Sequence, residues 1–216
     1  MSALQARPLG DFAVAIVFGA ERSPALLGRI HATAAALAAA NIPAVEDIVP
    51  SYLSIAVFYD CLQRSYADVS AELLAVCERG ARAGARTTPG REHIVRTRYD
   101  GIDLSDVAAR TGLSEEEVIA RHSGRPYRVD IIGFVPGFAY LSELDASLAL
   151  PRRDQPRPRI AAGSVAIAGL QTAVYPLVTP GGWHIIGSTD AVMFDPQRGE
   201  PSLLHAGDTV RFERAR

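Results

Sequence analysis

Residues able to do chemistry concentrate between Gly133 and Trp183, in two stretches where aromatics, arginines and glycines crowd at short spacing. The first, GFVPGFAYLSELDASLALPRRDQPRPR (Gly133–Arg159), sets Phe134, Phe138 and Tyr140 around a Pro136-Gly137 turn. Arg152, Arg153, Arg157 and Arg159 follow, separated by prolines that limit loop freedom. Guanidinium groups on a stiff loop suit forked recognition of a carboxylate or phosphate. The alternative is a solvated basic loop whose aromatics plug a core. The second stretch runs from Ala162 to Thr189 and places Gln171, Thr172 and Tyr175 among apolar strand residues, ahead of Thr179-Pro180-Gly181-Gly182-Trp183. Gly181 and Gly182 let the backbone approach a ligand closely. Gln171 suits orientation of an amide or carboxylate, and Trp183 suits covering a planar group. The structural counterpart is a tight turn with the tryptophan in the core.

Acid–base groups are few. His122 ends a helical pattern, where the dipole favours its charged form, and it is the candidate proton carrier. His184 falls mid-strand, His205 near a turn and His31 inside a helix; neither GxSxG nor HExxH occurs. All 22 basic residues are arginine, so no Walker A lysine and no Schiff-base lysine can form. Cys61 and Cys77 lie outside any CxxC or Cys/His ligand spacing, which reads as two buried thiols and no metal site.

Elements that alternate strand and helix precede these stretches. Phe12–Phe18 is a β-branched apolar run. Ser23-Pro24 then supplies an N-cap and a first-turn proline, and Leu26, Leu27, Ile30, Ala34 and Leu37 line one helical face. Extended runs over Ala44–Val49 and Tyr52–Tyr59, hinged at Pro50-Ser51, lead to a second helix over Ala67–Arg82. Its inner face carries Val69, Leu73, Val76 and Cys77. Glu92–Tyr99 closes the series as a strand, giving the βαββαβ order of a ferredoxin-like unit. The breaker-rich residues 84–91 mark a hinge before that last strand.

A helical hairpin follows over 103–122. Asp103 caps its first helix, Gly112 ends that helix, and Ser114–Glu117 forms a capping box for the second. Strands are then expected at Tyr127–Phe134, Gly163–Ala168, Thr172–Leu177, Trp183–Ser188, Val192–Phe194 and Asp208–Arg214, a spacing that suits a small antiparallel barrel. Two domains result, 1–90 (its last strand reaching to 99) and 91–216, an α+β chain. The hairpin resembles a helix-turn-helix, but Glu115, Glu116 and Glu117 stand where base edges would be met, and the net charge is −2. Neither nucleic acid nor an anionic membrane surface is an expected partner. No apolar run approaches the roughly 20 residues of a membrane span. The expected location is the cytoplasm.

The segments DLSDVAARTGLSEEEVIARHSGRPYRVDIIGFVPGFAYL, LPRRDQPRPRIAAGSVAIAGLQTAVYP, TPGGWHIIGST and GDTVRF together resemble the KipI / allophanate hydrolase subunit 1 family, associated with the B subunit of 5-oxoprolinase. They span about residues 99–213, and VEDIVPSYLSIAVFYD extends the likeness more loosely upstream. Ala161, Ala173 and Ser188 depart from the residues common in that family. The resemblance implies a ferredoxin-like N-terminal domain and a cyclophilin-like antiparallel barrel. It implies two partners. One is a KipA-type protein, the C subunit of 5-oxoprolinase or allophanate hydrolase subunit 2; the other is of LamB/YcsF type, the A subunit. The complex so implied opens 5-oxoproline to L-glutamate with ATP hydrolysis. Such a site needs cations, which Arg152 and Arg159 would supply, and oxyanion dipoles, which the Gly181-Gly182 amides would supply. Phe134, Phe138, Tyr140 and Trp183 would keep it dry. Without a lysine or P-loop in the chain, ATP is expected at a site shared with a partner subunit. Two other readings are an inhibitor of a sensor histidine kinase and half of a urea carboxylase-type carboxyltransferase.

Overall fold

The computed structural model describes residues 4–82 and 90–215, so most of the hinge expected at 84–91 lies outside the described residues. Two compact units divide the chain, Met1–Thr88 and Pro89–Arg216.

The first unit contains β1 (Gln5–Pro8), β2 (Ala13–Val17), α1 (Pro24–Ala39), β3 (Val45–Pro50), β4 (Ser54–Tyr59) and α2 (Tyr66–Arg82). Helix α1 starts where the sequence places it. The Ser23 hydroxyl accepts from the Leu26 amide at 3.1 Å, and Pro24 occupies the first turn. Val14, Ile16, Ile55 and Val57 pack against Ile30, Leu37 and Leu73 to form the core. The sheet order is β1-β2-β4-β3, every pair antiparallel. The expected βαββαβ series is therefore not the one observed. The N-terminal β1 takes the place beside β2, and Glu92–Thr97 joins the other unit. Its Val95 is buried in that unit's core, whereas polar Gln5 and Arg7 and the donor-less Pro8 suit an outer strand.

The second unit runs through β5 (Glu92–Thr97), α3 (Leu104–Thr111), α4 (Glu115–Ser123), β6 (Pro126–Ile132), β7 (Ala139–Ser142), a short 3-10 turn at Ala146–Leu148, β8 (Arg157–Ile160), β9 (Ser164–Ala168), β10 (Gln171–Val174), β11 (Thr179–Gly181), β12 (His184–Ser188) and β13 (Thr209–Arg214). Seven strands form one sheet in the order β12-β9-β10-β7-β6-β13-β5, with β5 and β13 parallel. Just past β5, Arg98 exchanges backbone hydrogen bonds of 2.8 and 2.7 Å with Ser188 of β12. The sheet is thus a nearly closed barrel, as a cyclophilin-like barrel requires. Val192–Phe194, expected as a strand, makes only the isolated bridge Phe194–Ser202. Strands β8 and β11 pair with each other as a separate ribbon.

Alternate residues of β9 serve two cores. Val165 and Ile167 face the first, with Val129, Leu141 and Val210 and the hairpin residues Val107 and Val118. Ala166 and Ala168 face the second, where Ala173, Phe138, Tyr175, Trp183 and the ribbon residue Ile160 meet. Three alanines on that face leave the volume that the aromatic rings fill. The hairpin's ends match the sequence. Gly112 closes α3 with φ 71°, and Ser114 and Glu117 form the reciprocal capping box of α4.

Candidate functional site

The second core supplies a rigid aromatic block. Phe138 touches Phe134, Tyr140, Tyr175 and Trp183 edge-on at centroid distances of 5.4, 4.9, 5.4 and 5.7 Å. Tyr140 and Trp183 meet at 5.9 Å. The Pro136-Gly137 turn that aims these rings depends on Gly137, whose φ is 77° and where an added Cβ would press into the Phe194 side chain. Phe138, Tyr175 and Trp183 are buried, Tyr140 is half-buried, and Phe134 is 60% exposed. Only Phe134 and Tyr140 of the expected set therefore present ring surface; the others are their foundation. Phe134 has φ 69°, a conformation an aromatic residue seldom adopts.

The ribbon brings together the two stretches that the sequence keeps apart. Thr179 pairs with Ile160, Gly181 pairs with Arg157, and the Arg153 amide donates to the Gly182 carbonyl at 2.8 Å. Gly181 lies against the Tyr175 hydroxyl, where any Cβ would clash. That hydroxyl accepts from the Trp183 amide; burial nevertheless raises the Tyr175 pKa, against the opposing effects of that amide and of the Arg152 and Arg157 charges. Burial likewise raises Tyr140, and the Arg152 charge opposes it. Arg152 is exposed and acts electrostatically on both phenols. Arg159 stands exposed on β8, and among the described residues it enters no ion pair.

The arginines that find a partner are Arg153 and Arg157, not Arg152 and Arg159, the pair expected to supply the site's cations. Arg157 forks onto Asp103 with Nη1–Oδ2 2.8 Å and Nη2–Oδ1 2.7 Å, and Arg153 Nη1 reaches Oδ1 at 2.9 Å. The Ile185 amide donates to Asp103 Oδ2 at 2.7 Å. Asp103 is only 3% exposed. Burial alone would raise its pKa; the Arg157 hydrogen bond, the Ile185 amide and the two guanidinium charges outweigh this and hold it below 3.8. Asp103 does precede α3, but its side chain makes no cap hydrogen bond. The expected cap is an ion-pair hub instead, its two oxygens taken by the Arg153 and Arg157 guanidinium groups and the Ile185 amide. An aspartate flanked by Ile102 and Leu104 was the available signal, although its partners lie about 50 residues away.

His122 is not a surface proton carrier. Its ring is wholly buried in the first core, 4.5 Å from Phe212 and 5.4 Å from Tyr127 between centroids. Nδ1 lies 2.8 Å from the Tyr99 hydroxyl and Nε2 lies 2.9 Å from Thr172 Oγ1, which donates to the Ala166 carbonyl at 3.0 Å. With the Thr172 proton committed, Nε2 carries hydrogen and Nδ1 accepts from Tyr99. Burial pushes the His122 pKa down to about 3. Thr172 thus turns inward, away from the aromatic block. Gln171 is half-buried and aligned with Ser142 of β7. His184 is also buried; its Nε2 donates to the Pro151 carbonyl at 2.9 Å, and Nδ1 lies 3.9 Å from Asp106.

Concavities among the described residues also occur away from the aromatic block. A groove of about 560 Å³ runs along β5 past Ile94, Arg96, Arg98, Asp190 and Glu213, and one of about 320 Å³ lies beside β3. The ion pairs lining the first, Arg98–Asp190 at 2.7 Å among them, leave it less suited to chemistry than the Arg152 surface. Among the described residues no helix is long and apolar enough to cross a membrane, and no group of three or more His, Cys, Asp or Glu side chains is placed to hold a metal.

Residues 4–204 match the family model described as carboxyltransferase domain, subdomain C and D. The chain is 39% identical to the 5-oxoprolinase B subunit of Bacillus subtilis over 97% of its own length and 92% of that protein's. It is 55% identical to the Escherichia coli O157:H7 protein of the same name over 52% of this chain and 51% of that one. Among solved structures, TTHA0988 superposes with TM-score 0.83 at 40% identity, covering 94% of this chain and 40% of that longer one. The Kluyveromyces lactis urea carboxylase shares the fold with TM-score 0.75 at 15% identity, over 99% of this chain and 22% of its own.

Proposed function

This chain belongs to the carboxyltransferase subdomain C and D family, together with the 5-oxoprolinase B subunits it resembles, and from that premise we propose that it is the small subunit of an ATP-dependent 5-oxoprolinase. The observation that carries the reading is the 39% identity to the Bacillus subtilis B subunit over nearly the whole of both chains. Its partners are two further proteins, one of KipA type and one of LamB/YcsF type, and the reaction opens 5-oxoproline to L-glutamate as ATP is hydrolysed. The lactam carbonyl is a poor electrophile, and ATP activates it by phosphorylating the oxygen. A chain without lysine has no Walker A cradle, so the nucleotide sits at a site shared with a partner.

Arg152 binds the anionic end of the substrate, and Tyr140, supported by Phe138 and Trp183, lies under its ring. Tyr140, half-buried at the surface of the aromatic block, keeps its proton near neutral pH, burial raising its pKa further, and can donate a hydrogen bond to an oxyanion. The exposure of Arg152 and Phe134 supports a site closed by a second protein, since charge stabilisation is far stronger once water is excluded. The likeness to the urea carboxylase, at 15% identity, bears on fold alone and does not favour carboxyl transfer here. A coupled assay for glutamate and ADP tests the proposal, with the purified chain alone and then with both partner types. Turnover is expected only in the complex. Turnover by the isolated chain, or a fully assembled complex inert toward 5-oxoproline, rejects it.

A further inference from the structure

The segment Pro151–Arg157 is tied down at three points by groups from other elements. His184 Nε2 holds the Pro151 carbonyl at 2.9 Å. The Gly182 carbonyl holds the Arg153 amide at 2.8 Å. Asp103 holds the Arg153 and Arg157 side chains at 2.7–2.9 Å. Arg152 lies between the first two ties, so its backbone is pinned on both sides while its side chain stays exposed. Asp103 is itself fixed, because the Ile185 amide donates to its Oδ2 at 2.7 Å and its own amide donates to the Ile185 carbonyl at 2.9 Å. One buried carboxylate thereby joins the start of α3, strand β12 and the arginine segment.

We propose that Asp103 is a positioning residue for substrate binding: by neutralising Arg153 and Arg157 and clamping them to β12, it leaves Arg152 as the arginine of this segment that faces the aromatic block and takes a carboxylate. The inference rests on the site proposed above. Four like charges within eight residues would otherwise compete for one anion and repel one another. A bidentate pair with a carboxylate nine-tenths buried is rigid in a way that an exposed pair is not. The clamp takes two of the four out of that competition; of the remaining two, Arg152 lies in the pinned stretch beside the aromatic block and Arg159 lies further along, on β8.

Trp183 is the only tryptophan in the chain and directly follows Gly182, one of the tie points, so its emission reports on the clamp without any activity measurement. The experiment uses the full chain and the assembled complex with Asp103→Asn, Arg157→Gln and Arg152→Ala. Arg157→Gln leaves Asp103 a remaining partner and covers the case in which Asp103→Asn fails to fold. Asp103→Asn and Arg157→Gln are expected to increase acrylamide quenching of Trp183 and to raise KM for 5-oxoproline by about tenfold, the effect of losing one well-placed charge-assisted contact. The change in kcat should be much smaller. Arg152→Ala should raise KM without changing the quenching, and adding Asp103→Asn to it should raise KM no further. Unchanged quenching in both clamp variants overturns the clamp, and increased quenching with unchanged KM overturns its positioning role. An unchanged KM in Arg152→Ala instead overturns the proposed site, independently of the Trp183 reading.

Discussion

Asp103 and His122 face the same physical problem in one unit and solve it in opposite ways. Each is almost wholly withdrawn from water, at 3% and 0% exposure. Asp103 keeps its charge by collecting two arginines and an amide; His122 gives its charge up and joins a chain of neutral hydrogen bonds from Tyr99 to the Ala166 carbonyl. A charged solution sits near the surface, where Arg153 and Arg157 stay partly hydrated. A neutral one is the form that survives between Phe212 and Tyr127 in the core, since an isolated buried charge costs far more than a buried hydrogen bond. Both pin the helical hairpin to the sheet, but only the first touches the loop that carries Arg152.

The contrast breaks most sharply at Asp103→Ala, which leaves two guanidinium groups facing an uncharged cavity. A loss of about 3–5 kcal/mol is expected from urea unfolding, as for other half-removed buried pairs. A loss under about 1 kcal/mol would mean that the pair is hydrated and that the contrast with His122 is one of degree.

Acid separates the two next. The His122 pKa is about 3 folded and 6.5 as the free group, so below 6.5 the unfolded chain binds a proton that the folded chain refuses. Stability from this group is complete above about pH 6.5 and is lost progressively as the pH falls toward 3, a loss on the order of 3 kcal/mol by about pH 4.5. Asp103 has a depressed pKa; its contribution is full above its ordinary value of 3.8 and is lost only as the pH drops through the lower folded value. Unfolding at a series of pH values should show the His122 slope first, and His122→Gln should flatten it while leaving the fall below pH 3.8 in place.

Smaller again is the effect of Arg152→Ala, which removes an exposed charge. Activity of the assembled complex should fall about tenfold, near 1.4 kcal/mol, while the melting transition moves by less than about 0.5 kcal/mol. Full activity there would place anion binding elsewhere. Comparable in size is Tyr99→Phe, which deletes the first link of the His122 chain. Thermal unfolding should register about 1–2 kcal/mol for the orphaned Nδ1, with no change in Trp183 quenching, because that chain does not reach the arginine segment.

What the sequence made legible was local. Ser23-Pro24, Gly112 and the Ser114–Glu117 box need only neighbours a few residues away, and each appears where expected. The aromatic and arginine stretches were also readable as carriers of chemistry, from their residue types alone, whereas the ribbon that brings them together was not. The destination of each arginine was not readable. Arg153 and Arg157 are chosen by a carboxylate about 50 residues earlier, whereas Arg159, which strand alternation puts on the same face of β8 as Arg157, is left exposed. His122 did carry a signal that went the other way: it lies four residues after buried Val118 and three after buried Ile119, on the inner face of α4. The partner of β5 was hidden for a related reason. Apolar alternation identifies a strand but not the strand it pairs with.

That pairing sets the order in which the polypeptide can acquire its shape during synthesis. Glu92 lies beside Thr209, so the two are neighbours across a separation of 117 residues. Every strand of the first unit has left the ribosome long before this contact is possible, whereas the barrel stays unclosed until translation reaches Arg214. Over that interval Val95 has no final burial site, because Phe212 and the rest of β13 are yet to be made, and apolar surface left open in this way favours aggregation.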